Sequence, residues 1–140
     1  MKTVMNPQHA GYQAYKKNKY ETASPHKLIS LLYTACLQNG NRAKQALVEG
    51  KKEEAHTAIL KMQDIVYELI ACLNEEQGGE LSQNLKRIYL YVIDRLVEAN
   101  LQKTVEPIEE VIELIESIRS AWEQIGKDIH MGLASNGTSV

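Results

Sequence analysis

Within this chain of 140 residues, the one spacing that could support chemistry is Glu53-Glu54-Ala55-His56. It contains Glu-x-x-His, the pair with which helical bundles hold two iron or manganese ions among inward carboxylates and imidazoles. Such a centre needs the pair twice and two further inward carboxylates. Here the pair occurs once, and on a helix Glu53 would stand roughly 160° from Ala55, off the apolar seam. His9, His26, His56 and His130 are scattered, and none has a Ser, Cys or Asp placed beside it as a nucleophile would stand beside its base. His26, in a first helical turn, reads as a solvated side chain. Cys36 and Cys72 form no CxxC and read as small core-lining thiols, not as a redox pair or zinc clip. Gly78-Gly79 lacks both a preceding strand and the Lys-Ser/Thr that would make it a phosphate loop. The expectation is a non-enzymatic protein with no catalytic residue, no cofactor and no metal.

Composition narrows what such a protein does. Hydrophobic residues make up 44% and charged residues 24%, ordinary proportions for one globular domain of this length. The formal charge is −2 and no Lys/Arg cluster tracks a phosphate backbone, so nucleic acid is not an expected partner. The apolar runs are broken well short of the ~20 residues a membrane span needs, and Met1 to Gly11 lacks the apolar segment of a signal peptide. A cytoplasmic location follows as the expectation. There are seven Tyr, one Trp and no Phe; a Tyr ring with a polar tip suits half-wet surfaces.

The elements that must position any site are helices. Residues 1–23 carry Tyr12, Tyr15 and Tyr20 as their only large ring side chains and read as an N-terminal arm. Ser24-Pro25 is a helix start, an N-cap hydroxyl followed by a residue without an N–H to satisfy. Leu28, Leu31, Leu32, Ala35, Ala43 and Ala46 then share one face. Asn39-Gly40-Asn41 reads locally as a turn inside that pattern, and Gly50 as a C-terminal cap. Ala55, Ile59, Met62, Val66, Leu69 and Leu73 step by four and three, the seam of a left-handed bundle helix. Leu81, Leu85, Ile88, Val92, Leu96 and Ala99 make a third stripe. Ile108, Val111, Ile115, Ile118, Trp122 and Ile125 make a fourth, entered through Pro107. The Glu109, Glu110, Glu113 and Glu116 run reads as a solvated face. Short connections force antiparallel neighbours, so the expected fold is all-α, an up-down-up-down antiparallel four-helix bundle over residues 24–130. Its helices fall at about 25–49, 51–75, 80–102 and 106–129, and residues 131–140 read as a disordered tail.

One helix has more apolar surface than a bundle consumes. In the third, Leu90, Ile93, Val97 and Leu101 form a second stripe roughly 150° from the first, and Tyr89 and Tyr91 fall on the flanks between the two. Either an arm or a second copy of the chain covers this stripe, or it receives an incoming helical segment.

The arm Gly11-Tyr12-Gln13-Ala14-Tyr15, followed by Thr22-Ala23-Ser24-Pro25-His26-Lys27-Leu28, resembles the opening of the FliS family of flagellar export chaperones. Leu32-Tyr33, Arg95-Leu96-Val97-Glu98-Ala99-Asn100 and Ala121-Trp122 resemble residues that recur in that family, and the likeness runs over about residues 11 to 128. It implies a four-helix bundle that binds the disordered C-terminal segment of flagellin in the cytoplasm, prevents premature polymerisation and delivers it to the flagellar secretion apparatus. Other flagellar export or assembly proteins are implied as further partners. It also implies an arm, through Tyr12 and Tyr15, that covers part of the binding surface when flagellin is absent. Tyr89, Leu90, Tyr91, Ile93, Val97 and Leu101 are the candidate client contacts. Two features depart from the family pattern: Asp94-Arg95 stands where members often carry Arg-Arg, and Asn39-Gly40-Asn41 falls where their first helix runs unbroken. On that resemblance one continuous helix is expected. The alternative is a helical dimerisation or scaffold module without a disordered client.

Overall fold

Ser24 caps the first helix as its side chain predicts, Oγ accepting from the Lys27 amide at 3.1 Å, with Pro25 in the first turn. In a computed structural model, which describes the backbone of residues 24–136 and, Glu75 aside, the side chains of residues 24–127, four helices follow. They are α1 (Pro25–Val48), α2 (Lys52–Ala71), α3 (Glu75–Gln102) and α4 (Glu106–Asn136). His9, Tyr12 and Tyr15 lie outside the described residues, as does the side chain of His130. Each helix packs on its neighbours in sequence, and α1 on α4 closes the ring. The result is the all-α four-helix bundle that the four stripes imply.

The connections have identifiable chemistry. After α1 the chain turns through Gly50 at φ +72°, where the Gly50 amide donates to Leu47 and the Lys51 amide to Ala46, the paired bonds of a Schellman cap. Before α3, Asn74 Oδ1 accepts from the Gln77 amide and Ser82 Oγ donates to the Asn74 carbonyl. Gly79, at φ 53° and ψ −128°, breaks the helical path after one turn, so the uninterrupted part of α3 starts at Glu80. Lys103 adopts the left-handed conformation between α3 and α4, and Pro107 sits buried in the first turn of α4. The backbone of α4 continues to Asn136, past the point where the tail is expected to begin. Among the described residues, no helix is long and apolar enough to cross a membrane.

The first helix runs unbroken through Asn39-Gly40-Asn41. Asn39 does not open a turn: its Nδ2 donates to the Ala35 carbonyl one turn back at 2.9 Å. Gly40 is buried at a close approach of helices. A Cβ there would stand 2.9 Å from Ile112 Cγ1 of α4 and 3.1 Å from Met62 Cε of α2. The local turn signal is therefore a packing signal, glycine chosen for the missing side chain.

The core tapers. Towards the end where α1 meets α2, the small side chains of Ala43, Ala46, Ala55, Ala58 and Ala99 are fully sequestered. At mid-bundle Leu32, Ile59, Met62, Val66, Leu96 and Ile115 are sealed. At the opposite end, where α1 begins and α4 runs on, Leu28, Ile70, Leu73, Leu85, Ile118 and Trp122 are only half-buried. Leu81 and Ile125, expected within the stripes, are 63% and 42% exposed there. Cys36 lines the core, and burial pushes its thiol up to about 12. Cys72, also expected to line it, is exposed at the C-cap of α2, one residue beyond the helix.

Replacing Gly40 with Leu must displace Ile112 and Met62. Overpacking of this kind costs about 1 to 3 kcal/mol, so Gly40→Leu should lower the melting temperature by several degrees, as followed by far-UV circular dichroism. An unchanged melt would show that α1 and α4 are free to separate.

Candidate binding surface

The candidate residues on α3 divide between inside and outside. Tyr89, expected on a half-wet flank, is 1% exposed and belongs to the core. Its hydroxyl lies 2.6 Å from that of Tyr33 on α1, one donating to the other. Each buried hydroxyl thus has its partner inside the bundle. Burial raises both phenols above the ordinary tyrosine value; the hydrogen bond from Tyr89 offsets part of the rise at Tyr33, whereas the charge and hydrogen bond of Tyr33 add to it at Tyr89. Ile93, placed in the outer stripe, is 7% exposed and closes the core beneath it. Tyr89 and Ile93 are therefore corrections to the surface set.

The remaining four do lie outside. Leu90 is 46%, Tyr91 44%, Val97 41% and Leu101 80% exposed. Leu90, Val97 and Leu101 recur at seven and four residues and share one outward line on α3. His56 of α2 is joined to Asn100 of α3, Nδ2 of the asparagine reaching His56 Nδ1 at 2.8 Å. That bond fixes which flank of α2 meets α3. Leu60, Gln63 and Tyr67 follow His56 along the same flank, and Ile93 and Val97 precede Asn100 along theirs. Leu60 and Tyr67 are 41% and 54% exposed. The outer apolar strip therefore spans two helices, with Leu60 and Tyr67 on α2 and Leu90, Val97 and Leu101 on α3. Leu60 and Tyr67 are absent from the sequence-based set, although their seven-residue spacing off the α2 seam carries the signal.

The other flank of α3 is polar. Glu110 of α4 accepts from the Tyr91 hydroxyl and from Arg95 Nε, both at 2.6 Å, and Arg95 Nη1 also reaches Glu98 at 2.9 Å. Arg95, the basic residue of Asp94-Arg95, is thus engaged within the bundle. The glutamate run of α4 lies at the surface, with Glu109 and Glu113 exposed, and three of its carboxylates are paired. Lys44 of α1 pairs with Glu109, Arg119 grips Glu116 with two bonds of 2.8 Å, and Glu110 is half-buried. A shallow groove of about 420 Å³ lies between α1 and α4, floored by Leu37 and Ile112 and rimmed by Thr34, Gln38, Asn41 and Glu116.

His26 is not solvated. Its ring stacks on Trp122 of α4 at 4.6 Å, and its Nε2 donates to the Trp122 carbonyl at 2.7 Å. Trp122 Nε1 donates back to the His26 carbonyl at 3.0 Å. Among the described residues no three His, Cys, Asp or Glu side chains are grouped so as to hold a metal. Glu53 is exposed, and the ring of His56 is turned to Asn100.

The chain is thus an all-α four-helix bundle with an apolar strip across the outside of two helices. The chain belongs to the FliS family: a profile described as flagellar protein FliS matches residues 8–129. It is 32% identical over 122 residues to the flagellar secretion chaperone FliS of Vibrio cholerae, covering 84% of this chain and 90% of that one. It is 37% identical over 121 residues to the chaperone of the same name in Salmonella typhimurium, covering 83% and 90%. To that of Bacillus subtilis it is 34% identical over 121 residues, covering 86% of each. Family membership supports a chaperone role in flagellar export.

Two measurements test the site. Tyr33→Phe or Tyr89→Phe alone strands a buried hydroxyl and should cost about 1 to 3 kcal/mol, while the double variant should cost less than the sum of the singles; urea unfolding reads the cycle, and strict additivity would break the pairing. Tyr91 and Arg95 hold the Glu110 carboxyl below the usual carboxylate range. That contribution is present above the ordinary carboxylate pKa and is lost as pH falls through the depressed folded value. Glu110→Gln should therefore lower the urea midpoint at neutral pH and flatten its decline below about pH 4; parallel curves for the two proteins would contradict it.

Proposed function

We propose that this protein is a cytoplasmic, non-enzymatic export chaperone that holds the disordered C-terminal segment of flagellin. By occupying that segment it prevents premature polymerisation and delivers it to the flagellar secretion apparatus. The observation that carries this reading is the outer strip of Leu60, Tyr67, Leu90, Val97 and Leu101, exposed on a bundle whose core is complete without it. An amphipathic client helix laid along α2 and α3 would place its apolar face there. Ordering a disordered segment costs about 2 to 5 kcal/mol. Anchors contributing about 1.5 to 3 kcal/mol each on burial leave net affinity once several engage. Tyr91, at the edge of the strip, offers a ring to the client while its hydroxyl stays with Glu110. The arm supplies the unliganded state. It precedes α1 in the chain, and through Tyr12 and Tyr15 it competes with the client for part of the apolar surface.

Isothermal titration with the flagellin C-terminal segment tests the reading. Val97→Asp and Leu90→Asp should each weaken binding about tenfold, the loss of one well-buried anchor, with helicity and melting nearly unchanged because both side chains lie outside the core. A tight dimer in sedimentation that ignores the segment, and that either variant dissociates, would instead assign the strip to a second copy of the chain.

A further inference from the structure

The outer line of α3 is not wholly apolar. Leu90, Asp94, Val97 and Leu101 step by four, three and four, and all four side chains are exposed. Asp94 therefore stands within the line, between two apolar residues, and not on the polar flank. Among the described residues no hydrogen bond or ion pair reaches its carboxylate. Arg95, the next residue in sequence, is turned to the other flank, towards Glu110 and Glu98. The pattern recurs on α2, where Leu60, Asp64 and Tyr67 step by four and three as Leu90, Asp94 and Val97 do, with Asp64 half-buried. α2 and α3 run antiparallel and meet through His56 and Asn100. Asp64 and Asp94 each lie about two turns from that bond, towards the same end. The strip thus carries a carboxylate on both of its helices at similar height.

We propose that Asp94 determines which segment the strip accepts: an amphipathic helix with a Lys or Arg at the border of its apolar face. This rests on the strip being a helix-binding site, as under Proposed function. A helix seated on Leu90 and Val97 removes water from the carboxylate between them, and a carboxylate that loses water without gaining a partner costs free energy. A basic side chain removes that cost. Its apolar stem lies along the strip while its charged head reaches Asp94. A segment bordered by Glu or Asp meets repulsion at the same point, so one residue both attracts and rejects. The same charge disfavours a second copy of the chain. Two copies docked strip to strip would bring Asp64 and Asp94 of both onto one apolar patch, where water is lost and like charges face each other.

The test titrates the full chain with two designed helical peptides that share one leucine face and differ only at its borders, lysine in one and glutamate in the other. Asp94→Asn should weaken the lysine-bordered peptide about threefold and Asp94→Lys about tenfold at low salt, with both differences shrinking at high salt. The glutamate-bordered peptide should instead bind Asp94→Lys more tightly than the natural protein. Glu113→Lys, an equal change of net charge at an exposed site on α4, should move either peptide far less. Equal responses of the two peptides to Asp94→Lys, or an effect no larger than that of Glu113→Lys, overturn the proposal. So does a dimer, seen in sedimentation, that Asp94→Lys dissociates. If neither peptide binds while the flagellin C-terminal segment does, the border charge is not what the strip reads, and this proposal falls alone. If the peptides discriminate through Asp94 while the flagellin segment ignores the protein, the reading of the client falls and the role of Asp94 stands. Asp94 is exposed, so far-UV circular dichroism should show each of its variants folded.

Discussion

At Gly40 only a hydrogen separates the backbone of α1 from Ile112 and Met62, and the spacing of three helices is set by that contact. From there towards the turn between α1 and α2 the core narrows to small side chains, Ala43, Ala46, Ala55 and Ala58. Each helix can then bury one stripe and little more. The second stripe of α3 points away from its buried face, and Leu90, Val97 and Leu101 stay on the surface. The price in helix propensity, about 1 kcal/mol for glycine against alanine, is offset by the packing that the missing side chain permits.

The core chemistry is adapted to a chain without phenylalanine. Tyr33 and Tyr89 fill the large positions of mid-bundle, and a hydroxyl that deep costs free energy unless it is bonded. Opposing the two solves both problems with one contact. It also makes the pair register-specific: a slip of α1 against α3 by one turn would leave two buried hydroxyls without partners, whereas a pair of phenylalanines would tolerate it.

Stripes with strict four-and-three spacing were legible because a helix turns that spacing directly into a face; α2 is the plainest case, with Ala55, Ile59, Met62, Val66 and Leu69 all buried. What periodicity does not carry is who stands opposite. Tyr89 and Tyr91, two apart on a helix, point roughly 200° apart; Tyr89 shares the spacing of buried Val92, Leu96 and Ala99 and meets Tyr33, while Tyr91 faces out. A first-turn position predicts a solvated His26, while its partner is 96 residues away in sequence. Gly40 gave a turn signal because local propensity counts the flexibility of glycine and not its size. Leu60 and Tyr67 belong to the strip only because α2 lies beside α3. The surface was thus half legible: its α3 members follow from surplus hydrophobicity on one helix, and its α2 members need the packing.

Trp122 is the chain's single tryptophan, and it is half-buried at one junction of the bundle. Its intrinsic emission is therefore not an average over the fold but a report on the place where α1 begins and α4 passes. A neighbouring imidazole in stacking contact and a hydrogen-bonded indole N–H both shape that emission. The protein carries, without labelling, an optical probe of its own first helical turn.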